Sequence, residues 1–452
     1  MQFDWANSGV DLHLELAVGG RRAGLETALR EAIRDGRLSP GTRLPSTRDL
    51  ARELGLARNT VSAAYEQLTA EGFLAARTGS GTVVAELPSA GPLAEPSSPV
   101  DDTFLYDLGA GTPDVTTFPT AAWLRSMRRA LAVAPAHTYG YGPEAGALEL
   151  RLALTEYLGR SRGVLASPDR IVITTGYVQA LSLLARVVDG PIAMEDPGLS
   201  FHRDVVAFTG RPVLPLSVDS LGATAPPAKA KAVVVTPAHQ YPMGVTLHPQ
   251  RRRMLAEWAR STGGLIIEDD YDGEFRYDRQ PVGALQGAAP DHTVYLGTAA
   301  KTLAPALRLA WMILPPALVE PVKAAKRLSD GHSEVLGQLA LADLIATHAF
   351  DRHVRACRQH YRKRRDLLAE RLASHRVQGI SAGLHALIAL PDNVSEADVI
   401  AAAAKRGLRL AGLGPHWHGT PRSAGIVAGY GTPPERLWPG ALNTLSLVLR
   451  GV

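Results

Sequence analysis

From about residue 104 onward, short β-rich runs alternate with longer segments of helical periodicity. The candidate strands are Ile171–Thr174, Lys231–Thr236 and Leu265–Glu268, and the candidate helices between them are 144–160 and 250–262. Parallel strands need a crossover of a dozen residues or more, which a helix usually provides. The alternation therefore predicts an α/β domain around a mainly parallel sheet over residues 104–452. A long basic helix over 350–372 is expected to lead into a smaller C-terminal lobe that starts at about residue 350.

The first 86 residues have a different pattern, in which three short helical segments precede a hairpin. The apolar positions at helical spacing are Leu25, Leu29, Ala32 and Ile33, then Leu50 and Leu54, then Val61, Tyr65 and Leu68. Ser46 is expected to cap the second helix, with Asp49 completing a capping box. Phe73–Arg77 and Thr82–Ala85 can pair as two strands. The pattern predicts a winged helix-turn-helix domain over residues 10–86.

Residues 87–103 are rich in Pro and Ser with few apolar side chains, which predicts a linker. The lone Cys357 cannot form an internal disulfide, and no apolar run approaches the length of a membrane span. A cytoplasmic protein is therefore expected. Residues 1–85 contain 10 Arg plus Lys and 10 Asp plus Glu. Any DNA affinity of this neutral segment must come from the placement of its charges.

The third helix of such a domain presents its first residues to the major groove, where Arg and Asn can pair with guanine and adenine edges. Arg58, Asn59 and Thr60 occupy these positions. Contacts to DNA phosphates are expected from Arg48 at the second helix and from Arg77, Gly79 and Ser80 at the wing. The alternative is an interaction domain on which the arginines are solvated charges.

At these residues the chain resembles the GntR-type winged helix. The resemblance runs without a break from Gly41-Thr-Arg-Leu-Pro-Ser-Thr-Arg-Asp-Leu-Ala through Arg58-Asn-Thr-Val-Ser to Gly79-Ser-Gly-Thr82. One departure is Ala57, where the family usually has a serine that caps the recognition helix. Losing that cap costs about 1 kcal/mol. The resemblance implies double-stranded operator DNA as a partner.

A second cluster of residues indicates covalent chemistry at a lysine. Lys301 lies in Gly297-Thr-Ala-Ala-Lys301-Thr-Leu-Ala-Pro, a small and uncharged setting. Desolvation there would lower the pKa of the amine and favour the neutral nucleophile. Asp269 and Tyr271 follow a strand two residues apart, so strand alternation places both on one side. Asp270 would point the other way, although a strand that ends there leaves the choice open.

Anion-binding residues accompany this lysine. Thr174-Thr-Gly176-Tyr177 joins a β run to a helix, so its backbone N–H groups could hold a phosphate, while Thr298 and Arg308 also suit phosphate contacts. Together the parts fit pyridoxal 5'-phosphate (PLP) held as a Schiff base on Lys301. Asp269 would then pair with the ring nitrogen and Tyr271 with the phenolic oxygen.

In these segments the chain is similar to class I aminotransferases of PLP fold type I, and more closely to the MocR/GabR family of chimeric regulators. The resemblance covers almost the whole chain and includes Tyr139-Gly-Tyr-Gly, Thr236-Pro-Ala-His-Gln-Tyr-Pro-Met-Gly244, Glu268-Asp-Asp-Tyr-Asp-Gly-Glu-Phe-Arg-Tyr277 and the Lys301 segment. It implies that His239 and Gln240 lie near the ring and that Tyr141 reaches the phosphate of the partner subunit. A head-to-tail homodimer with exchanged DNA-binding domains is the family expectation.

Two departures concern a bound amino compound. Ala300 stands where the family usually has Ser before the lysine, and Leu199 stands where it usually has an aromatic residue after Asp-Pro-Gly. Arg422 is the candidate for binding an effector carboxylate, with Arg203 and Arg409 as rivals. His416 and His418 have no third metal ligand nearby in the sequence, so no metal site is expected.

The leading hypothesis is a PLP-dependent transcriptional regulator whose body senses PLP, or an amino compound, through Lys301. An active aminotransferase with an accessory DNA-binding domain is the alternative, because Lys301 could serve equally as a proton shuttle. A third possibility is a DNA-binding protein whose body only dimerises. The basic run over 352–365 could touch DNA, but such a run is more often a solvated helix face.

Overall fold

The computed structural model describes residues 21–77, 81–86, 104–277 and 282–451. Its contacts divide the chain into two compact units, Met1–Asp101 and Asp102–Val452. The division falls within 87–103, the predicted linker, which lies outside the described residues together with 10–20 of the predicted DNA-binding domain.

The N-terminal unit contains three helices and a two-stranded sheet. The helices are α1 (Arg21–Arg34), α2 (Thr47–Glu53) and α3 (Arg58–Ala70), and the antiparallel strands are β1 (Leu74–Arg77) and β2 (Gly81–Val84). The apolar positions predicted for α1 to α3 form its core, except that Leu54 is only partly buried. Ser46 caps α2 by accepting a hydrogen bond from the Asp49 N–H (3.2 Å). The predicted winged helix-turn-helix architecture is therefore confirmed.

The second unit is built on an eight-stranded mixed sheet flanked by helices. In chain order its elements begin with β3 (Tyr106–Asp107), α4 (Thr120–Val133), α5 (Leu148–Arg162), β4 (Ile171–Thr174), α6 (Tyr177–Val187), β5 (Ile192–Asp196), α7 (Ser200–Phe208), β6 (Val213–Asp219), β7 (Gly222–Ala223), β8 (Ala232–Val235), α8 (Pro249–Thr262), β9 (Leu265–Asp269), β10 (Thr293–Thr298) and β11 (Ala310–Ile313). The strand order is β4-β11-β10-β9-β8-β5-β6-β7.

Strands β10, β9, β8, β5 and β6 are parallel neighbours, whereas β11 runs antiparallel to both β10 and β4. Both faces of the sheet are covered. In β8, Ala232 and Val234 pack into one core cluster with α6, while Val233 and Val235 pack into another with α8. Because β4, β5, β8, β9 and β10 point the same way, their carboxyl ends meet at one edge, where α/β folds form ligand sites.

The remaining elements form a long helical segment and a smaller lobe. They are α9 (Pro316–Asp330), α10 (Leu336–Ala346), α11 (Ala349–Arg371), β12 (Arg376–Gln378), β13 (His385–Ala389), α12 (Glu396–Ala404), β14 (Leu408–Arg409), β15 (Ala411–Gly412), β16 (Gly425–Gly429) and α13 (Trp438–Arg450). The small sheet has the order β12-β13-β16-β15, and β14 pairs with β3. The early segment around Tyr106 therefore belongs to the lobe that the sequence placed only after residue 350. Within the described residues, no helix is both long and apolar enough to cross a membrane.

Candidate functional site

A cavity of about 350 Å³ lies at the carboxyl edge of the large sheet. Seven of the residues predicted for the site contribute to its wall: Gly176, Tyr177, Asp269, Tyr271, Thr298, Lys301 and Arg308. These residues come from four separate segments: three of them end or follow a strand of the sheet, and the fourth, with Arg308, lies just before β11. The structure therefore brings together most of the residues that the sequence assigned to one site.

Lys301 lies in the turn that leaves β10, and its Nζ donates a hydrogen bond to the carbonyl oxygen of Gly111. Burial lowers the pKa of the Lys301 amine, and the carboxylates of Asp269 and Asp272 partly oppose that shift. A lower pKa increases the neutral fraction of the amine, which is the nucleophilic form. The turn thus holds an amine suited to attack a carbonyl carbon.

Asp269 and Asp270 are adjacent but face opposite sides of the sheet edge. Asp269 lines the cavity, and burial raises the pKa of its carboxyl, as does the neighbouring charge of Asp270. Asp270 instead accepts hydrogen bonds from Arg162 Nε (2.6 Å) and from the Tyr295 hydroxyl (2.6 Å), both buried. This geometry decides the choice that the sequence left open, because only Asp269 is directed at the cavity.

Gly176 and Arg308 lie together where β4 turns into α6, and we call this pair the anion cradle. Gly176 is the N-cap of α6 with φ of 142°, a conformation that favours glycine. A Cβ at this position would lie 2.7 Å from Nη2 of Arg308, so the guanidinium packs directly on the Gly176 backbone. Thr298 Oγ1 accepts a hydrogen bond from the Ala300 N–H (3.0 Å). A helix N-terminus beside an arginine is suited to binding a phosphate.

His239 and Gln240 do not line the cavity but support residues that do. The Tyr271 hydroxyl donates to the His239 carbonyl oxygen (3.0 Å), and His239 Nδ1 lies 2.8 Å from a carboxylate oxygen of the buried Asp272. Gln240 donates from Nε2 to the Pro197 carbonyl oxygen (2.9 Å) and to Glu195 (3.2 Å). His239 and Gln240 therefore lie outside the cavity and hydrogen-bond to the residues Tyr271 and Glu195 that line it.

Four predicted or rival residues are placed away from the cavity or are engaged elsewhere. Tyr141 is 99% exposed and is not among the cavity-lining residues. Arg422 also lies outside the wall, where its Nη2 donates to Asp196 (3.3 Å) and its guanidinium sits over Trp417. Arg203 does line the cavity, but its guanidinium donates to the carbonyl oxygens of Gly198, His416 and Trp417. Arg409 interacts with Asp107 (3.5 Å) in the smaller lobe.

Several wall residues were not predicted from the sequence. They are Ala110, Gly111, Glu195, Leu199, Phe201, His202, Arg203 and Tyr241. Burial raises the pKa of Glu195 to about 7, while hydrogen bonds from Thr236 oppose the shift. The glycines of Gly109-Ala-Gly111 were a usable signal for Gly111, because glycine permits close backbone approach. His202 carried no such local signal.

In the N-terminal unit, Arg58 and Asn59 are exposed at the start of α3, and Arg48 is exposed on α2; Thr60 is half-buried. Ala57 is the N-cap of α3 and makes no side-chain capping hydrogen bond. The Tyr65 hydroxyl donates to the Pro45 carbonyl oxygen (3.1 Å), which ties α3 to the start of α2. Of the predicted wing residues, Gly79, Ser80 and the side chain of Arg77 lie outside the described part of the chain.

Comparison with known proteins matches both units to families. Residues 22–84 match the bacterial regulatory proteins of the gntR family, and residues 105–403 match aminotransferase class I and II. The fold of the second unit is also similar to a kynurenine aminotransferase of Pyrococcus horikoshii, solved in complex with PMP, with a TM-score of 0.70 and 24% identity. That alignment covers 76% of this chain and 90% of the aminotransferase.

Two regulators resemble the chain over nearly its full length. It is 34% identical to the HTH-type pyridoxine biosynthesis transcriptional regulator PdxR of Corynebacterium glutamicum, over 91% of this chain and 92% of the relative. It is 33% identical to the probable rhizopine catabolism regulatory protein MocR of Rhizobium meliloti, over 92% and 91% respectively. Because these relatives share both units in the same order, the chain belongs to the MocR family of HTH-type transcriptional regulators, in which a GntR DNA-binding domain precedes a class I aminotransferase domain.

Proposed function

We propose that this DNA-binding regulator senses PLP, which its aminotransferase-like body holds through Lys301. The observation that carries the proposal is the convergence of three chemically different groups on one cavity: the Lys301 amine, the Asp269 carboxyl and the Gly176–Arg308 cradle. An aldehyde, a pyridine nitrogen and a phosphate are the three groups of PLP that such residues would bind. The name of the relative from Corynebacterium glutamicum refers to pyridoxine biosynthesis, which agrees with this ligand.

The residues fit PLP one group at a time. The cradle offers backbone N–H groups at the α6 N-terminus together with the Arg308 guanidinium for a phosphate. Asp269 is buried, with its carboxyl at the cavity wall, where it would hold a proton on the ring nitrogen. The Tyr271 hydroxyl, held by His239, would lie at the edge of the ring. When bound, PLP would supply a carbonyl carbon for covalent attachment to the neutral Lys301 amine.

The distribution of cations favours PLP over an amino acid as the sensed ligand. The described cavity-lining residues with Lys or Arg side chains are Lys301, Arg308 and Arg203. Arg203 already donates to backbone carbonyl oxygens, and Arg422 donates to Asp196. An effector carboxylate would have to displace one of these contacts, whereas a phosphate meets the cradle directly. The role predicted for Arg422 in binding an effector carboxylate stays a prediction that requires the Asp196 contact to open.

A homodimer is part of the proposal. Tyr141 is almost fully exposed, and Val133 (82%) and Leu124 (56%) expose apolar side chains on α4. Exposed apolar side chains of this size are typical of surfaces that a second subunit covers. PLP would then act by shifting the dimer between states that contact DNA differently, as a ligand does when its affinity for the two states differs. The size-exclusion mass of the purified chain checks the dimer directly.

The experiment that tests the proposal follows the visible absorbance of purified protein titrated with PLP. In parallel, binding is measured to a DNA fragment from upstream of the chain's own gene. We expect a visible band of lysine-attached cofactor and a DNA affinity that changes with PLP. Lys301→Ala should lose the band while its circular dichroism stays native, and Lys405→Ala, at an exposed lysine in the smaller lobe, should keep it. A band that survives in Lys301→Ala would refute the assignment of the lysine.

The alternative of an active aminotransferase is distinguished by turnover. The same protein is incubated with PLP, a panel of amino donors and a keto-acid acceptor, and product is measured by chromatography. A sensor should show attachment without sustained product formation. Steady turnover at ordinary enzyme rates, on the order of 1 s⁻¹ or faster, would move the function to catalysis.

A further inference from the structure

One position at the cavity wall differs from the pattern that the sequence resembles. Leu199 occupies the position after Asp-Pro-Gly where resembling proteins usually carry an aromatic residue. It lines the cavity, so the position itself is correctly placed, but a leucine offers no aromatic face. A pyridine ring gains from an offset-stacked or edge-on aromatic neighbour beyond simple burial. Another aromatic side chain of the cavity wall would therefore have to take this role.

Tyr177 is the first residue of α6 and follows Gly176 of the anion cradle, so its side chain starts beside the predicted phosphate position. It lines the same cavity as Lys301 and Asp269. The carboxyl of Asp269 contributes, after burial, to raising the pKa of the Tyr177 hydroxyl, which places that hydroxyl near the predicted partner of the ring nitrogen. The phenol therefore extends from the phosphate cradle toward Asp269, along the direction that the pyridine ring must take.

The surroundings of Tyr177 leave its ring available on the cavity side. His202 packs on it with ring centroids 4.4 Å apart and an interplanar angle of 34°. Burial lowers the pKa of His202 to about 3, and the charge of Lys301 adds to the shift, so this neighbour is a neutral ring. The Tyr177 hydroxyl is buried, and it lies close enough to the Asp269 carboxyl for each group to shift the pKa of the other. The phenol is thus packed against the His202 ring, with its hydroxyl next to the Asp269 carboxyl.

The other aromatic residues of the cavity wall are less suited. Phe201 is 55% exposed on α7. The Tyr271 hydroxyl donates to the His239 carbonyl oxygen, and its proposed place is the edge of the cofactor ring rather than the face. Tyr241 packs edge-on against His385 and His416 at interplanar angles of 63° and 87°. Tyr177 is the cavity-lining aromatic that joins the phosphate cradle to Asp269.

We propose that Tyr177 supplies the aromatic face for the cofactor ring, in place of the residue at position 199. The inference rests on the proposed function, since it assumes that PLP or a close analogue occupies the cavity. It assigns a binding role to the side chain of Tyr177, in addition to the backbone N–H that the phosphate cradle requires. The pair His202–Tyr177 would then form a stack that the pyridine ring extends.

The test uses 4'-deoxypyridoxine 5'-phosphate, which has the ring and phosphate of PLP but no aldehyde. Its dissociation constant is measured by fluorescence titration for the full-length wild-type protein and for Tyr177→Phe, Tyr177→Leu and Tyr177→Leu/Leu199→Tyr. Tyr177→Phe keeps the aromatic face and should bind within about twofold of wild type. Tyr177→Leu should bind about three- to tenfold more weakly, the range that an aromatic pair contributes. The double variant should recover most of that loss.

Four results would overturn the proposal, the last of them in the Leu199→Tyr variant. Unchanged binding in Tyr177→Leu would show that the ring makes no contact, and tighter binding would show that the phenol occupies the ring position and must be displaced. An equal loss in Tyr177→Phe would assign the effect to the hydroxyl. If Tyr177→Leu does not fold, Leu199→Tyr alone decides the matter: less than a twofold gain in affinity supports an already covered ring, and a gain of threefold or more contradicts it.

The outcome is separable from that of the proposed function. Absence of a visible band with PLP in the wild-type protein refutes attachment to Lys301. The deoxypyridoxine titrations need no attachment and still decide the role of Tyr177. Failure of the wild-type protein to bind either compound overturns both proposals.

Discussion

The guanidinium of Arg308 lies against the backbone of Gly176, so close that a Cβ there would come within 2.7 Å of Nη2. The two residues are 132 positions apart in the chain, by subtraction of their numbers. Arg308 itself adopts a left-handed conformation with φ of 53°, which is uncommon for a residue other than glycine. The backbone has a positive φ at both positions, and the Arg308 guanidinium lies at the N-terminus of α6. The cradle depends on this contact.

Gly176→Ala is expected to disable the cradle. The added methyl group collides with the guanidinium, and the φ of 142° strains any side chain at this position. Losing one charge-assisted phosphate contact should weaken PLP binding by about tenfold or more. Gly159→Ala serves as the control, since it lies on the exposed side of α5 with ordinary van der Waals space. Equal PLP affinity in the two variants, measured by absorbance titration, would contradict the cradle.

Asp269→Asn and Asp270→Asn should have opposite phenotypes although the residues are neighbours. Replacing the Asp269 carboxyl by an amide takes away the partner of the ring nitrogen, so PLP affinity should fall about tenfold with little loss of stability. Removing the Asp270 charge leaves Arg162 buried without its carboxylate. That change should lower the free energy of unfolding by about 3–5 kcal/mol. Urea unfolding followed by circular dichroism, together with PLP titration, checks both; matching phenotypes would disprove the assignment of sides.

The free energy of unfolding of the aminotransferase-like unit should fall as pH rises from about 5 to 7, and the Glu268 carboxyl should be one cause. Burial, with the charge of Asp270, raises the pKa of Glu268 from 4.5 to about 7. In this window the folded protein holds a proton that the unfolded chain has released, so rising pH favours unfolding, by up to about 3 kcal/mol. Glu268→Gln should flatten that slope in urea unfolding at several pH values, and the exposed Glu257→Gln should not. An unchanged slope in Glu268→Gln would rule out this contribution.

Ala57→Ser should stabilise the DNA-binding unit. Ala57 has extended φ and ψ of −70° and 140°, which suit an N-cap, but it offers no side-chain acceptor for the free N–H groups of α3. A serine there should add about 1 kcal/mol to the free energy of unfolding of this unit. Ala70→Ser, at the other end of α3, should add nothing. Thermal unfolding followed by circular dichroism compares the two, and no difference between them would show that the cap is not limiting.

Much of the fold could be predicted because it depends on local pattern. The strand predicted at Ile171–Thr174 has those bounds in the structure, and the helix predicted over 250–262 is Pro249–Thr262. The insertion of antiparallel β11 between β4 and β10 could not be predicted. Hydrophobic alternation reports which residues are buried, but it does not report which strand lies beside which.

The candidate site also has residues that could be predicted from the sequence and contacts that could not. Lys301, Asp269 and Gly176 were predictable because residues that follow parallel strands gather at one sheet edge. Gln240 was expected near the ring, yet its amide faces Pro197 and Glu195 behind the wall. The ion pair of Arg422 with Asp196 joins residues 226 positions apart. No spacing in the sequence encodes such a contact.

By itself the sequence determined the two domains, their order, the Ser46 cap of α2 and the lysine with its strand-end carboxylate, since these follow from periodicity, turn residues and short motifs. Tertiary structure alone decided which of two adjacent aspartates faces the cavity, which arginines are already engaged, and that Tyr177 packs on His202 beside Asp269. The physical reason is that these outcomes depend on burial and on partners supplied by distant segments. A polar side chain in the interior turns toward whichever partner satisfies it.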